Sequence, residues 1–511
     1  MLRWIKNALR ASAVRSGSRS APERIDDRLG EAAAARRSGD LSRAEDLYRE
    51  LLEGDPDHAE ALFGLGEIAT LGGHNEDAAG LIRRAISLEG SRARYYFGLG
   101  CALHALADHA GAAQAYRDAL RLDPAHVAAH MNLGAILQEQ AEVAASGTQQ
   151  LDEAVSHFRA VRDLVPGNAE AWMNLGYAMA RQRRLDEALQ CYDRSLELDP
   201  QLAEARFNRS MVLLAQGRFA EGWRAYEWRW QASGFSRPQY AQAEWDGAAL
   251  ASRVILLYTE QGFGDAIQFV RYAPLLAARG AHVILRSTPE LRRLFAGIDG
   301  IARSLVSGDA LPAFDTHCSL LSLPRLLDLG EIPAEVPYIR ADPVLAEKWR
   351  REIGGGPELR VGLVWASQPM ARIAPLKSIS FEEFAPLLGV PGVKYYSLQK
   401  GEAPPRVAGL TDLGGRLEDF AETAAVIANL DLTISVDTAV AHLAGAMGKP
   451  VWTLLPFVPD WRWHPDGDTS RWYPGMRLYR QPQRGNWGPL LAAASADLQR
   501  LRAARAGVSP T

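Results

Sequence analysis

Two hydrophobic patterns divide this chain into halves. Between about residues 25 and 230, small, aromatic and proline positions recur at a step of 34 residues, which is typical of a repeat array. From residue 254 onward the period changes, and continuous apolar runs alternate with amphipathic stretches. This alternation predicts parallel strands connected by helices. The pattern therefore predicts a repeat array followed by an α/β region.

One small residue marks the same position in five repeats, and the steps between successive markers are 34, 34, 42 and 34 residues. The markers are Gly66, Gly100, Gly134, Gly176 and Ser210. The long step contains residues 139–150, which we interpret as an inserted loop. With WMNLGYA at residues 172–178 as its clearest copy, the pattern resembles the tetratricopeptide repeat (TPR), in about six copies. The resemblance implies an α-helical solenoid of antiparallel helix pairs.

Three repeats carry asparagine at the same position of their first helix, namely Asn132, Asn174 and Asn208. In the TPR family this position lines the concave groove. An asparagine amide has two donors and an acceptor, so a row of them can hold an extended polypeptide by its backbone. Asparagine is also common there in repeats with no known ligand. A polypeptide-binding groove and a plain structural role both remain open.

The sixth repeat is bulkier than the others. Trp223, Tyr226 and Trp230 have the spacing of one helix face and are too large to be exposed cheaply. They fit a cap that docks against the next domain better than a ligand site. This interpretation attaches the array to the α/β region.

The α/β region begins with an apolar run at residues 254–258, which predicts a strand. The glycine-rich turn GFGD and a helix come next, and then a second strand at 282–285. The turn lacks the third glycine of a dinucleotide-binding fingerprint. Asp265 opens the helix and, with Gln268 three residues later, fits a capping box.

The same alternation restarts after the glycines at 354–356. It predicts strands at 361–365 and 394–398, and helices at 381–388 and 417–430. Two strand–helix series separated by a glycine hinge predict two Rossmann-like lobes that face each other across a cleft. A ligand site is expected in that cleft.

The stretch from Asp431 to Pro456 is the most legible part of the second lobe, because it reads as strand, polar turn, helix and strand without a gap. Backbone N–H groups and a partial positive charge collect where such a strand ends and its helix begins. We therefore expect a nucleotide diphosphate above residues 437–439. Asp437 and Thr438 are also good helix caps, which is the competing interpretation.

The composition of the chain limits the classes of protein to which it can belong. A length of 511 residues predicts several domains, and a net charge of -4 gives no support for nucleic-acid binding. The three cysteines are far apart and favour a reducing compartment, so we expect a cytoplasmic protein. No apolar run is long enough to span a membrane. Residues 1–24 are predicted to form a basic arm that is disordered or weakly helical, with contact to anionic lipid as an alternative.

Four segments carry a resemblance to the heptosyltransferase-like glycosyltransferases of family nine. These segments are GFGDAIQFVRY, VGLVWAS, LKSISFEEF and SVDTAVAHLAGAMGKPVW, within residues 254–501. The resemblance implies the GT-B fold. Behind TPRs, the layout is also similar to the protein O-GlcNAc transferases and the bacterial flagellin glycosyltransferases. The predicted domains are an arm (1–24), a solenoid (25–237), a first lobe (238–337), a connector (338–357) and a nucleotide-sugar-binding lobe (358–511).

The resemblance also implies roles for single residues. Asp265 matches the proposed base of the family, in competition with its role as a helix cap. Lys377 of LKSIS matches a lysine that contacts the donor phosphate, although an ordinary loop lysine is the alternative. Glu402 corresponds loosely to an acidic residue near the nucleoside.

The turn of the second lobe binds the donor in that family, which implies donor contacts from Asp437, Thr438 and Ala439, with His442 nearby. The family has glycine where this chain has Ala439, which leaves a backbone contact possible but adds a methyl group where the family has none. GT-B enzymes generally replace a metal ion by a helix dipole and basic side chains. We therefore expect no metal and no cofactor besides the nucleotide-sugar donor.

Two features near the C-terminus have alternative interpretations. Residues 466–468 form a DGD, a spacing that binds divalent cations in transferases of another fold but is more often a turn. The surrounding aromatics can stack on a nucleobase or hold the C-terminal helix at 490–506 onto the core: Trp461, Trp463, Trp472 and Tyr473. Serine-hydrolase and metalloprotease motifs are absent from the sequence.

The sequence thus predicts an inverting, metal-independent glycosyltransferase acting on a polypeptide that the repeats recruit. One alternative is transfer to a saccharide or lipid-linked glycan, with the repeats binding an assembly partner. The other is a non-catalytic scaffold with degenerate transferase lobes. Sugar and nucleotide selectivity depend on pocket shape, which the sequence does not give.

Overall fold

A computed structural model describes residues 22–144, 147–232, 234, 236–367, 374–401 and 404–505. The predicted arm is outside these residues apart from its last few positions, where a helix begins at Pro22. Glu402, the predicted acidic residue near the nucleoside, is also outside them. The structure is described over these ranges alone.

Six helix pairs run along the first part of the described chain, in agreement with the predicted repeat count. Their bounds are Pro22–Arg37 and Leu41–Gly54, Ala59–Leu71 and Asn75–Leu88, Ala93–Ala105 and His109–Leu122, Val127–Val143 and Thr148–Leu164, Ala169–Arg181 and Leu185–Leu198, and Ala203–Ala215 and Phe219–Tyr226. A 3₁₀ helix, Glu227–Trp230, comes after the last pair.

The marker glycines are needed where the two helices of a pair cross. A Cβ atom on Gly66 would lie 2.5 Å from Ile82, and one on Gly100 would lie 2.5 Å from the Tyr116 ring. Real Cβ atoms do not approach other atoms so closely, so the side chain of the second helix occupies the space that glycine leaves. This close packing is the physical origin of the 34-residue pattern.

The expectation of an inserted loop at 139–150 is wrong. The helix that begins at Val127 continues to Val143, and the next helix begins at Thr148. The extra residues therefore lengthen both helices of the fourth pair. The stretch from Glu139 to Val143 contains no glycine or proline, so nothing in it opposes helix continuation.

Contacts divide the chain into two compact units. One contains the residues up to 140 together with 149–178, and the other contains 141–148 and the residues from 179 onward. The last helix pair thus shares a unit with the α/β region. The predicted domain boundaries, including residue 237, stay predictions.

The α/β region begins with a parallel four-stranded sheet in the order β3-β2-β1-β4. Its strands are β1 (Val254–Tyr258), β2 (His282–Ser287), β3 (Ile301–Val306) and β4 (Thr316–Ser319). β1 and β2 confirm the two predicted strands, whereas the patterns of β3 and β4 are too weak to predict strands from the sequence. The helices of this lobe are Phe263–Phe269, Ala273–Ala278, Arg292–Ala296 and Leu323–Leu326.

A parallel six-stranded sheet comes next, in the order β10-β9-β8-β5-β6-β7. Its strands are β5 (Leu359–Val364), β6 (Val393–Ser397), β7 (Leu410–Asp412), β8 (Leu432–Val436), β9 (Val451–Leu455) and β10 (Met476–Arg480). The strand predicted before the polar turn is β8, in which every residue is buried. The apolar run therefore has the character of a central parallel strand.

Helices accompany this second sheet and the connector before it. They are Pro343–Ile353, Ala374–Lys377, Phe381–Phe384, Phe420–Ala428, Ala439–Ala446 and Gly488–Arg505. Short 3₁₀ helices lie at Val270–Tyr272, Pro289–Leu291, Leu320–Ser322, Ala385–Gly389, Gly414–Arg416 and Trp461–Trp463. The predicted helix at 381–388 is thus an α-helical turn that continues as a 3₁₀ helix.

The sixth repeat docks against the α/β region, as its aromatic residues predicted. Trp223 packs edge-on against Phe269 of the first lobe and Trp461 of the second, with ring centroids 5.6 and 5.3 Å apart. Arg229 is fully buried and donates hydrogen bonds to Glu260 and to Ser322. This contact joins the end of the array to the first lobe.

Candidate active site

A cavity of about 920 Å³ lies between the two parallel sheets. The loops that line it come after the carboxyl ends of β1, β5, β8 and β9, which is the edge where α/β sheets bind ligands. Six of the predicted site residues line this cavity together: Asp265, Lys377, Asp437, Thr438, Ala439 and His442. Segments far apart in sequence are thus brought to one site.

A buried ion pair at this edge joins Lys377 to Asp437. The lysine Nζ donates to Asp437 Oδ2 at 2.6 Å, and the Asp437 side chain is 4% exposed. Burial alone raises the pKa of a carboxyl group, but the Lys377 ammonium holds the pKa of Asp437 below its usual value. Burial likewise lowers the pKa of Lys377, yet Asp437 and Asp460 outweigh it. Both groups are therefore charged at neutral pH.

The helix Ala439–Ala446 begins at the cavity without a side-chain cap. Thr438 occupies the N-cap position, but its Oγ1 pairs with Ser435 Oγ at 2.9 Å instead of capping the helix. Asp437 is engaged by Lys377. The interpretation of these two residues as side-chain caps is therefore wrong, because neither side chain accepts a hydrogen bond from the first turn of the helix. Among the described residues no side chain caps this helix, so its first N–H groups can bind an anion in the cavity.

His442 lies one turn into the same helix and is buried. Its Nδ1 is 2.9 Å from the Tyr473 hydroxyl, and its ring stacks on Trp463 at 5.0 Å between centroids. Burial lowers the pKa of His442 to about 3. The imidazole is therefore neutral at physiological pH and acts as a fixed polar wall of the site.

Asp265 combines a structural contact with a position in the cavity. Its Oδ2 accepts from the backbone N–H of Gly262 at 3.0 Å. Gly262 is the N-cap of this helix and Asp265 its third residue, so Asp265 is not the N-cap that was predicted together with Gln268. Its Oδ1 pairs with Arg462. Burial raises the pKa of Asp265, and Arg462 opposes this effect only in part. A carboxylate of raised basicity that faces a cavity suits a general base.

Arg462 was missed in the sequence, although it is the central cation between Asp265 and Asp460. It also donates to the side chain of Gln268, so it bridges the two lobes. In the sequence Arg462 stands between two tryptophans in DWRW, a context that does not indicate its partners in the first lobe. The expectation for that stretch concerned its aromatic residues alone.

The two lobes approach each other closely at Gly264. A Cβ atom on this glycine would lie 2.9 Å from His442 Cδ2 and 3.7 Å from Ala439 Cα. Arg293 of the first lobe also donates to both oxygens of Asp419, which caps the helix Phe420–Ala428 of the second lobe. The glycine before Asp265 thus lets this residue approach the turn at residues 437–439.

The three predicted groove asparagines are not among the residues that line the cavity. They lie on the first helices of their pairs, as the repeat pattern predicted. Asn132 donates to the Tyr116 hydroxyl at 3.2 Å, so part of its amide is used within the array. Their role in binding a polypeptide stays a prediction.

The DGD and its aromatic neighbours have structural contacts. Gly467 adopts a positive φ of 83°, and its carbonyl accepts from Arg480 at 2.7 Å, as expected of a turn. The four aromatic residues are at most 5% exposed, which favours packing over stacking on a ligand: Trp461, Trp463, Trp472 and Tyr473. Trp461 also lines the cavity.

Segments of the chain match two protein-family models. The model described as "Tetratricopeptide repeat" matches five overlapping segments between residues 29 and 227. The model described as "Glycosyltransferase family 9 (heptosyltransferase)" matches residues 402–471, which include Asp437 and His442. The chain therefore combines TPRs with a glycosyltransferase family 9 domain. Its helical array followed by parallel sheets is consistent with an α/β GT-B fold, as predicted.

Among curated proteins, the chain is similar to Protein FlbA of Caulobacter vibrioides, with 26% identity over 311 residues. The match covers 54% of this chain and 52% of FlbA, so the chain spans about half the length of that relative.

Two solved structures match the helical part. YrrB, described as a TPR protein with an unusual peptide-binding site, is 25% identical, with 35% of this chain and 88% of YrrB covered and a TM-score of 0.31. PilF of Pseudomonas aeruginosa is 19% identical, with 41% of this chain and 90% of PilF covered and a TM-score of 0.35.

In the part of the chain that the structure describes, no helix has the length and hydropathy needed to cross a bilayer.

Proposed function

We propose that this chain is a glycosyltransferase that moves a sugar from a nucleotide-sugar donor to a polypeptide recruited by its TPRs. The observation that carries this proposal is the meeting of Asp265, Lys377 and the start of helix Ala439–Ala446 in one cavity. They can supply a general base, a phosphate-binding cation and an anion site, and sugar transfer from a nucleotide sugar requires all three. The family 9 match supports the same activity.

In the proposed reaction, the diphosphate of the donor lies at the helix start beside Lys377. An ammonium group has three donors, so Lys377 can keep its bond to Asp437 and still donate to phosphate oxygens. The helix N–H groups add a partial positive charge that stabilises the departing nucleoside diphosphate. We infer that this replaces a metal ion and that no further cofactor takes part.

Asp265 is proposed to accept the proton of the acceptor hydroxyl as that oxygen attacks the anomeric carbon. Attack opposite the leaving diphosphate inverts the configuration at this carbon. Arg462 is proposed to orient Asp265 through its ion pair, and Asp460 fixes Arg462 from the other side. His442 stays neutral and supports the wall of the donor site.

The polypeptide acceptor is supported by the TPR matches and by the docking of the sixth repeat beside the cavity. Phe207 and Met211 of the helix Ala203–Ala215 are among the residues that line the cavity. An acceptor bound along this helix would therefore enter beside Asp265. The wide separation of the three cysteines in the sequence supports a cytoplasmic reaction.

One observation favours a non-catalytic scaffold instead. Asp265 and Asp437 are each paired with a cation, so the cavity already balances part of its own charge. Thermal unfolding with UDP, GDP, ADP and CMP sugars separates the two proposals, because a donor that binds the folded chain raises its melting temperature. If none of the donors does so, the scaffold is favoured and the enzymatic proposal fails.

The base assignment has a sharper test. Asp265→Asn keeps the size of the side chain and removes its basicity, so the variant should bind the donor and transfer no sugar. Intact mass of proteins co-expressed with the chain reports polypeptide transfer, and glycan arrays report transfer to saccharides. Transfer by Asp265→Asn at the wild-type rate would contradict the assignment.

A further inference from the structure

Apart from the cavity, a cluster of side chains that can coordinate a metal ion lies in the repeat array, within the compact unit that contains the first helix pairs. His104, His109 and Glu139 each offer one ligand atom, and these atoms all lie within 4.8 Å of one another. The three residues are half-buried. They come from three helices, Ala93–Ala105, His109–Leu122 and Val127–Val143.

The backbone holds the two histidines at a fixed separation. They flank a tight turn in which Ala107 N donates to His104 O and Asp108 N donates to Leu103 O, both at 2.9 Å. Asp108 then caps the next helix by accepting from Gly111 N at 2.9 Å. The two imidazole rings lie 5.6 Å apart between centroids. The pair is therefore positioned by elements that do not need a ligand.

The repeat pattern does not account for these residues. One repeat earlier, the corresponding positions are Thr70, Asn75 and Ala105. In the fifth and sixth repeats they are Ala180, Leu185 and Ala215. Neither set can bind a transition metal. The trio occurs where the lengthened helix continues past Glu139 to Val143, so that Glu139 stands on a complete helical turn.

A second observation points to a ligand. Nδ1 of His109 is buried and has no hydrogen-bond partner within the described residues. A buried ring nitrogen without a partner costs free energy unless a water or a metal ion satisfies it. Glu139 takes part in a further contact of its own, which metal binding would exchange for coordination.

We propose that His104, His109 and Glu139 bind one divalent transition metal of the Zn²⁺ type. Two imidazoles and a carboxylate form a set that Zn²⁺ binds, with water completing a tetrahedral sphere. Ligand atoms around tetrahedral Zn²⁺ are about 3.3 Å apart, given bonds of about 2.0–2.1 Å. The ligand atoms of the three residues now lie within 4.8 Å of one another, so they would have to approach by about 1.5 Å or less. Side-chain rotation at half-exposed positions allows such a movement. The ion would join one repeat to the next and stiffen the array.

The test uses the full chain without a polyhistidine tag, treated with a chelator and then titrated with Zn²⁺ by calorimetry. Co²⁺ serves as a spectroscopic probe of tetrahedral coordination. The variants are His104→Ala and Glu139→Gln. The matched control is His74→Ala, because His74 is a half-buried histidine of the preceding repeat that does not belong to the cluster.

We expect one Zn²⁺ per chain for the wild type and His74→Ala, and a rise in melting temperature on Zn²⁺ addition for both. His104→Ala and Glu139→Gln should each weaken the affinity at least roughly tenfold. The melting temperatures of these variants without metal report whether the variants fold. A variant that folds normally but whose melting temperature does not rise on Zn²⁺ addition has lost only the metal site. Equal Zn²⁺ affinity in the wild type and both variants, or no binding by the wild type, would overturn the proposal.

Discussion

Lys377 Nζ donates to Asp437 Oδ2 at 2.6 Å, and this ion pair links the loop after β5 to the turn after β8 at the edge of the second sheet. The carboxylate is almost fully buried, so its charge depends on the lysine. The pair therefore has two roles in the proposed site. It fixes the donor turn in the free protein, and it holds a cation where the diphosphate would lie.

Removal of the Lys377 charge tests both roles. Lys377→Ala leaves Asp437 buried and unpaired, which should destabilise the fold by about 3 kcal/mol and abolish stabilisation by nucleotide sugars. Urea unfolding and donor-dependent melting measure the two effects. Lys394→Ala is the control, because Lys394 is exposed and its nearest carboxylate, on Glu358, is 3.5 Å away. A variant that still gains stability from the donor would remove Lys377 from the site.

His442 predicts a dependence of stability on pH. Its folded pKa is about 3, below the usual value of 6.5, so the unfolded chain binds a proton at this residue at a higher pH than the folded chain does. The stability due to neutral His442 is complete above pH 6.5 and is lost as the pH falls. At pH 5 the loss should be about 2 kcal/mol.

The comparison of His442→Gln with the wild type measures this contribution. The variant should lose less stability than the wild type between pH 7.5 and pH 5.0 in urea unfolding. His282→Gln is the control, because His282 is exposed on β2. Identical pH dependence of the wild type and His442→Gln would show that the histidine is not buried as described.

Much of the second sheet could be predicted because parallel central strands are continuous apolar runs. In the second sheet, β8 at Leu432–Val436 is the strand predicted before the polar turn, and in the first sheet β1 at Val254–Tyr258 has the predicted bounds. β3 could not be predicted, since most of its residues are half-buried or exposed and include arginine and serine. The helix that continues through Glu139 was missed because a departure from the 34-residue step does not reveal whether the extra residues are helical.

Gly264 predicts a steric effect on the contact between the lobes. In Gly264→Ala the new Cβ would meet His442, which is held by Tyr473 and Trp463 and cannot move aside. The expected cost is about 1–3 kcal/mol, with weaker donor binding because the lobes separate. Gly330→Ala is the matched control, since nothing lies within 4 Å of a Cβ atom there. Equal melting temperatures of the two variants would contradict the close approach.

The buried ion pair of Arg229 is expected to contribute much of the free energy that holds the sixth repeat on the first lobe. Arg229→Ala would leave Glu260, whose side chain is 4% exposed, without its partner, at a cost of about 3–5 kcal/mol in the free energy of unfolding. Arg237→Ala removes an exposed pair with Glu244 and should cost less than about 1 kcal/mol. Urea unfolding compares them. Similar losses in both variants would mean that the buried network does not hold the repeat.

Ala107 predicts a stabilising substitution. This residue has a φ of 58°, whereas the same turn of other repeats has glycine at Gly39, Gly73 and Gly217. Ala107→Gly removes the unfavourable contact of a Cβ atom in the left-handed region and should stabilise the array by about 1 kcal/mol. Ala110→Gly, on the next helix, should instead destabilise it by up to about 1 kcal/mol. Thermal unfolding distinguishes the two, and a loss of stability in Ala107→Gly would contradict the strain at this turn.

The candidate site was only partly predictable. Asp265, Lys377, Asp437 and His442 were identified through a resemblance of motifs, and the structure brings them to one cavity. Arg462 was missed because its role depends on the distance between two lobes, which no local pattern contains. The hydrogen bond between Thr438 and Ser435 was missed for a different reason, because a threonine between a strand and a helix is expected to cap the helix.

The central claim is that the cavity between the two sheets binds an activated sugar by its diphosphate. A crystal structure of the chain with a nucleotide sugar that raises its melting temperature tests it most directly. We predict phosphate oxygens within hydrogen-bonding distance of Lys377 Nζ and of the backbone N–H groups at Ala439 and Val440, with the sugar beside Asp265. A nucleotide sugar bound outside this cavity would contradict the claim.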